Sequence, residues 1–188
     1  MTSATLSPTV SSPATREIWS IDPSHTQAGF AVKHLMISNV KGRFRTVTGT
    51  VQLDPDSQDT LVDISIDASS LTTGDDKRDA HLRSADFLHV EEHPAIQFTA
   101  RQLEGNLESR FSLHGDLMIR GVTRPVTLHV INEGRVRDPW GNERIGYTAT
   151  ASIHRKDFGL EWNVALEAGG VLVGDEVRIT IETELVKG

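Results

Sequence analysis

The segment "VRITIETELV" (177–186) lies near the C-terminus. Val177, Ile179, Ile181, Thr183 and Leu185 alternate with Arg178, Thr180, Glu182 and Glu184. An alternation of period two is that of a β-strand with one apolar and one polar face. Working outward, the same pattern recurs. Val62, Ile64, Ile66 and Ala68 alternate with Asp63, Ser65 and Asp67, and Ile96, Phe98 and Ala100 alternate with Gln97 and Thr99. Further strands are expected over 19–21, 28–34, 47–53, 111–119, 126–130 and 145–153.

The turn signals DPDSQD (54–59), LEGN (103–106), NEG (132–134) and DPWGN (138–142) predict short connections between antiparallel neighbours. One-faced strands of this kind pack as a sandwich or close as a barrel. Two connections are longer. Residues 69–94 hold room for a short helix capped by Thr73 or Asp75, and residues 154–176 carry RKDFGLEWN and a glycine-rich AGG. Such segments are expected to cover an open end of a barrel. Small residues on inward faces (Ala68, Ala100, Gly115, Ala149 and Ala151) leave two readings open: a cavity, or room for large side chains opposite.

Residues 1–16 are rich in Ser, Thr and Pro and are expected to be a disordered tail, with the folded domain over 17–188. The net charge of −7, with no Lys/Arg run, argues against nucleic acid. With no cysteine there is no disulfide, thiolate nucleophile or Cys-ligated metal. The N-terminus lacks the basic start and apolar run of a signal peptide, and no window reaches the roughly 18 apolar residues of a membrane helix, so the expected location is cytoplasmic.

Several motifs fail on context. His89-Val-Glu-Glu-His93 spells a zinc-peptidase pattern, but Pro94 and a strand at Ile96 leave no room for the helix, and a polar loop is expected. Asp157-Phe158-Gly159 stands without any other kinase element. Asp54, Asp56 and Asp59 lack the glycine and the closing acid of a calcium loop. His114, His129 and His154 fall on polar strand faces. His34 shares a face with Phe30 and Val32, where a ring nitrogen needs a partner. His25, His34 and His81 lie near strand ends or the long connections; they could converge on a metal, anchor a polar head or bond the backbone, and no metal is assigned.

Five segments in order resemble the YceI-like family: "WSIDPSHTQAGFAVKHLMISNVKGRF" with "VTGTVQLD", then "IDASSLTTGDDKRDAHLRSADFLHVEEHPAIQFTA", "LHGDLMIRGVTRPVTLHV", "YTATASIHRKDFGLEW" and "VGDEVRITIETELV". The resemblance covers about residues 17–187. It implies an all-β fold, an extended antiparallel lipocalin-like barrel with one or two short helices in the long connections. It also implies binding of a long isoprenoid or related amphiphilic lipid, such as an isoprenoid quinone or polyprenyl lipid, without catalysis or a cofactor.

The family's motif positions fall on Asp22, His25, Phe30, His34, Gly42, Phe44, Arg78 and His81, and further on Leu82, Phe87, Phe98, Gly115, Leu117, Gly121, Arg155, Phe158 and Gly159. The apolar lining expected from these and from the inward faces is Phe30, Val32, Phe44, Leu82, Phe87 and Phe98, with Leu117, Tyr147, Ala149, Ala151, Phe158 and Trp162. The expected polar groups for a ligand head are His25, His34, Arg78, His81 and Arg155. Exposed strand edges leave room for a homodimer. Beside the carrier stand two other readings, a filled barrel acting through its surface and a lipid-modifying enzyme using His and Arg.

Overall fold

Alternation along eleven strands builds one antiparallel sheet. The computed structural model describes residues 16–54, 59–167 and 169–188. Apart from Arg16, the tail expected at 1–16 lies outside the described residues, as does most of the 54–59 turn. The strands are β1 (Glu17–Ile21), β2 (Gln27–His34), β3 (Ser38–Phe44), β4 (Val47–Leu53), β5 (Asp59–Asp67) and β6 (Leu71–Thr72). After the helix α1 (Asp76–Arg83) come β7 (Ala95–Gly105), β8 (Arg110–Ile119), β9 (Val122–Arg137), β10 (Glu143–His154) and β11 (Val173–Lys187).

Eight strands close a barrel in the order β1-β4-β5-β7-β8-β9-β10-β11, with β1 pairing back onto β11. The closure is shared. β1 takes the last residues of β11, opposing Ile21 to Leu185, and β2 takes the rest, opposing Phe30 to Ile179 and His34 to Val173. Between β1 and β2, Asp22 accepts from the Ser24 amide at 2.9 Å and Pro23 opens a single 3-10 turn, which steps the chain from one part of β11 to the next. β3 pairs with β2, and β6 with β3, so the wall extends beyond the barrel as a flap.

The inward residues pack as one core. Trp19 is fully buried, and Arg135 lies 5.0 Å from its ring centre. Helix α1 starts where expected: the Asp75 side chain accepts from the Arg78 amide at 2.9 Å. Phe87 and Leu88, just after it, are buried and close that end of the barrel, called the upper end below. The second long connection begins as a 3-10 turn, Arg155–Phe158, ended by Gly159 at φ 74°, a left-handed position that favours glycine.

Two sequence expectations change, and the HVEEH loop stands as expected. NEG (132–134) is not a turn: β9 runs through it, with a bulge opposite Gly146 and Tyr147, and the chain reverses at DPWGN instead. The Asn132 side chain accepts from the Gly134 amide at 2.8 Å, so the local Asx geometry that suggested a turn serves the bulge. The strand β3 was not expected, because Lys, Asn, Arg and Gly in SNVKGRF dilute its alternation. HVEEH forms one turn, in which the His89 carbonyl accepts from the amides of Glu92 and His93. The ligand atoms of His89, Glu92 and His93 lie within 4.8 Å of one another, His89 Nδ1 at 3.6 Å from Glu92 Oε2, but on a turn and not on the helix that a zinc-peptidase pattern needs.

Candidate functional site

The barrel interior holds two chambers stacked along its length. The lower one, of about 140 Å³, is walled by residues that include Val51, Val62, Phe98, Leu113, Tyr147 and Ala149. The upper one, of about 160 Å³, is walled by Phe30, Val32, Phe44, Leu82, Phe87 and Val173 among others. Ala28, Leu117 and Ile179 belong to both walls, so the chambers adjoin. No polar atom faces either space. Along β11 the wall runs from Val173 to Leu185, twelve steps or ~40 Å of strand. A dry apolar void near 150 Å³ takes a benzene-sized group, so two in series suit a narrow, extended apolar chain better than a wide ring system.

The expected lining divides in two. Phe30, Val32, Phe44, Leu82 and Phe87 line the upper chamber, Phe98, Tyr147 and Ala149 the lower, and Leu117 both. Ala151, Phe158 and Trp162 line neither. Ala151 and Phe158 border a groove between β9 and β10, where the pairing of those strands stops at Thr150 and His129, with Phe158 buried in the core beneath it and Ala151 half-buried against that core. Trp162 packs on the rings of Phe87 at 5.3 Å and His81 at 4.6 Å, sealing the upper end from outside. The neighbours Ile179, Ile181 and Leu185, absent from the expected lining, were marked by the same alternation that revealed the strand.

The polar candidates do not converge. His25 is exposed at the lower end, with Nδ1 3.0 Å from Asp22 Oδ2 and 3.9 Å from Glu184 Oε2. His34 sits at the upper end opposite Val173, eleven positions and ~36 Å of strand from Glu184. The three-imidazole cluster that His25, His34 and His81 could have formed is therefore not built. His81 Nε2 donates to Asp86 at 2.8 Å. Arg78 gives its guanidinium to the Thr73 hydroxyl and carbonyl, at 2.7 and 3.2 Å. Arg155 is buried and donates to the carbonyls of Gly174 (3.0 Å), Leu160 (2.5 Å) and Trp162 (2.9 Å), with Asp175 at 3.3 Å. Burial pushes its pKa down, and Asp175 works against that. Its donors hold the connection after β10 and are not turned into the chamber. His34 differs: half-buried on the face of Phe30 and Val32, its ring has no hydrogen-bond partner among the described residues.

Two residues of the lower wall carry hydroxyls, Thr60, which pattern alone does not single out, and Tyr147 of the expected lining. The Thr60 hydroxyl, in the wall of the lower chamber, is buried and lacks a partner among the described residues. Tyr147, in the same wall, has its hydroxyl pushed up to about 12, first by burial and then by the charge of Glu108. It stays a neutral phenol at any physiological pH. On the long connection above, burial acts to raise the pKa of Asp79. Its hydrogen bonds from the Thr73 amide (2.8 Å) and hydroxyl (2.5 Å) outweigh that and hold the carboxyl below its usual value.

The comparisons agree with this geometry. The sequence profile of the YceI-like domain matches residues 19–185. A UPF0312 protein of Staphylococcus aureus is 34% identical over 168 residues, covering 88% of this chain and 95% of its own. Among solved structures, Burkholderia cenocepacia BcnA superposes with a TM-score of 0.73 at 18% identity, covering 87% of this chain and 98% of that one. A polyisoprenoid binding domain from Saccharophagus degradans gives 0.66 at 16% identity, covering 90% and 98%. The Campylobacter jejuni YceI protein gives 0.68 at 25% identity, covering 100% and 99%. By the profile match and the staphylococcal relatives, the chain belongs to the YceI-like domain family.

Proposed function

We propose that this protein is a carrier or buffer for a long-chain isoprenoid lipid, an isoprenoid quinone or a polyprenyl compound, and that it binds its cargo without chemical change. The observation that carries the reading is the pair of adjoining chambers to which only apolar atoms are exposed. A buried methylene contributes about 0.8 kcal/mol, so a chain laid through both chambers gains affinity along its length. The polyisoprenoid-binding relative of the same fold supports the ligand class. Against catalysis stands the commitment of the candidate acid–base groups: Arg78, His81 and Arg155 all bond protein partners. His34, at the upper end and without a hydrogen-bond partner among the described residues, is the group left for a polar head.

The filled barrel remains a second reading, favoured by one observation: Phe98 occupies the space over Gly115. Mass spectrometry of an organic extract of the purified protein, beside a protein-free control, decides between them. A stoichiometric isoprenoid is expected. An empty extract, together with no uptake of a ubiquinone analogue by the delipidated protein, would sink the carrier reading.

A further inference from the structure

The hairpin between β2 and β3 ends in Leu35-Met36-Ile37, and all three side chains are exposed, Met36 by 55% and Ile37 by 82%. Leu35 and Met36 hold φ of 50° and 60°, a left-handed conformation that costs a residue with a β-carbon and that glycine or asparagine would adopt more easily. The apolar tip thus accepts both unfavourable hydration and backbone strain. It is not isolated. The Leu35 amide donates to the Leu172 carbonyl at 2.9 Å, and the Leu172 amide to the Val164 carbonyl at 2.9 Å, which sets exposed Val164 on the adjoining segment.

Register places charge beside it. Phe30 and Val32 face the upper chamber, so the outward face of β2 carries Gly29, Ala31 and Lys33. Opposite Ala31 stand Lys41 on β3 and Arg178 on β11, and opposite Gly29 stands Arg43. Lys33, Lys41, Arg43 and Arg178 have no carboxylate within ion-pair distance among the described residues. Arg43 and Arg178 bond only the neutral side chains of Gln27 and Asn39. Of the acids near this end, Asp175 is paired with Lys156 at 2.9 Å, Glu176 and Glu182 on β11 accept from the neutral side chains of Ser152 (2.9 Å) and Gln27 (3.0 Å), and Glu161 and Glu167 are carried on the neighbouring connection, so the cationic face is that of β2 and β3 with Arg178 at its edge. In a chain of net charge −7, a cationic strand face capped by a bare apolar tip is a local reversal.

We infer that this hairpin docks the protein on an anionic bilayer surface, with Met36 and Ile37 entering the acyl boundary and Lys33, Lys41, Arg43 and Arg178 meeting the phosphate headgroups. The charge decides the occupant. An apolar tip alone would suit a second copy equally, but two copies would oppose the same four cations, whereas an anionic surface attracts each of them. Strand β2 continues from the tip straight into the upper chamber wall through Val32, so docking places that chamber next to the lipid. The inference adds to the carrier reading and stands apart from it, since a protein with empty chambers can bind vesicles and a loaded one can ignore them.

The test is co-sedimentation of the full chain with vesicles of equal parts phosphatidylglycerol and phosphatidylcholine, against phosphatidylcholine alone. Binding should be about tenfold stronger to the anionic vesicles and weaken with salt. Met36→Asp with Ile37→Asp should lower it about tenfold or more on both compositions. Lys33→Glu with Lys41→Glu should remove the preference for phosphatidylglycerol. Trp140→Asp, at an apolar residue exposed by 83% in the opposite hairpin, should change nothing. Circular dichroism checks that each variant is folded. No binding by the parent chain, equal binding by the tip variant, or loss only in the Trp140 variant would overturn the inference. So would sedimentation velocity showing a dimer that the tip variant splits while vesicle binding persists.

Discussion

Phe98 lies over the bare Cα of Gly115: a β-carbon there would stand 2.6 Å from Phe98 Cζ and 2.4 Å from the Thr99 carbonyl oxygen. A matching arrangement joins Phe30 to Gly42, its direct partner across β2 and β3, where a β-carbon would come within 2.3 Å of Phe30 Cζ. Each glycine leaves the space that an aromatic ring from the neighbouring strand takes up. Both rings line a chamber, Phe98 the lower and Phe30 the upper.

The two pairs should respond differently to repair. Gly115→Ala and Gly42→Ala should each cost about 1–3 kcal/mol by overpacking. Phe30→Leu should recover most of the loss at Gly42, since the obstacles there are side chains, Phe30 and the Thr73 methyl. Phe98→Leu should recover little at Gly115, because the Thr99 carbonyl stays in place. Urea denaturation of the two double-mutant cycles gives the coupling energies; equal rescue in both would contradict this packing.

Ala149 and Ala151 lie on one strand, yet only Ala149 faces a chamber. Ala149→Phe should block the lower chamber and reduce retained lipid several-fold, at a cost of about 1–3 kcal/mol in stability. Ala151→Phe, beside the groove between β9 and β10, should leave retention near that of the parent chain. Lipid extracted per mole of folded protein is the measurement, and equal loss in both would place the cargo elsewhere.

This contrast shows what the sequence could convey. Period-two alternation gives the face of a residue relative to its neighbours, and it located nearly every barrel strand. It does not show where paired strands part. β9 and β10 stop pairing after His129 and Thr150, and a groove opens beside Ala151, between Ala149, which lines the lower chamber, and Ile153, which lines the upper one. Polar side chains were less legible still. Arg155 is expected to meet a ligand head, and only the fold reveals carbonyls of Leu160, Trp162 and Gly174 gathered around it. Nothing local in the sequence encodes that His25 and His34, nine residues apart, lie at opposite ends of the barrel.

Replacing Arg155 with leucine keeps the bulk and removes every donor, leaving those carbonyls without partners in a dry place. The expected loss is about 3 kcal/mol in urea denaturation, with faster amide exchange over 156–172 than elsewhere in the chain. Arg155→Lys should rescue only part of it, because an ammonium group cannot span carbonyls on both sides of the connection. Unchanged exchange in the leucine variant would show that other contacts fix this segment.

At the lower end Arg144 binds Asp22 at 2.7 Å, Asp138 at 2.8 Å and Glu184 at 3.1 Å. Its hydrogen bonds hold Asp22 and Asp138 well below the usual carboxylate value, and Arg135 with Lys187 brings Glu143 down to about 2. A carboxyl depressed in the folded state contributes stability above its unfolded pKa of about 4 and loses it as pH falls through the folded value. The melting temperature should therefore fall between about pH 4 and pH 2. Arg144→Gln should be less stable than the parent at neutral pH, and the gap should narrow as these acids protonate. A gap that stays constant with pH would rule out the ion pairs as its source.

Tyr147 is the single tyrosine of the chain, so its ionisation can be followed by absorbance without interference. Burial raises its pKa from 10 to about 12, because the phenolate would have to form against an apolar wall. A neutral form favoured by folding contributes stability below the unfolded pKa and loses it as pH rises through the folded one. At about pH 10.5 the denatured chain should be more than half tyrosinate and the folded chain nearly free of it. A lipid seated in the lower chamber should widen the difference by excluding water from the ring, while a cargo confined to the upper chamber should leave it unchanged. Alkaline titration of the loaded and delipidated protein would thus locate the cargo, and ionisation of the folded chain near pH 10 would show that water already reaches this wall.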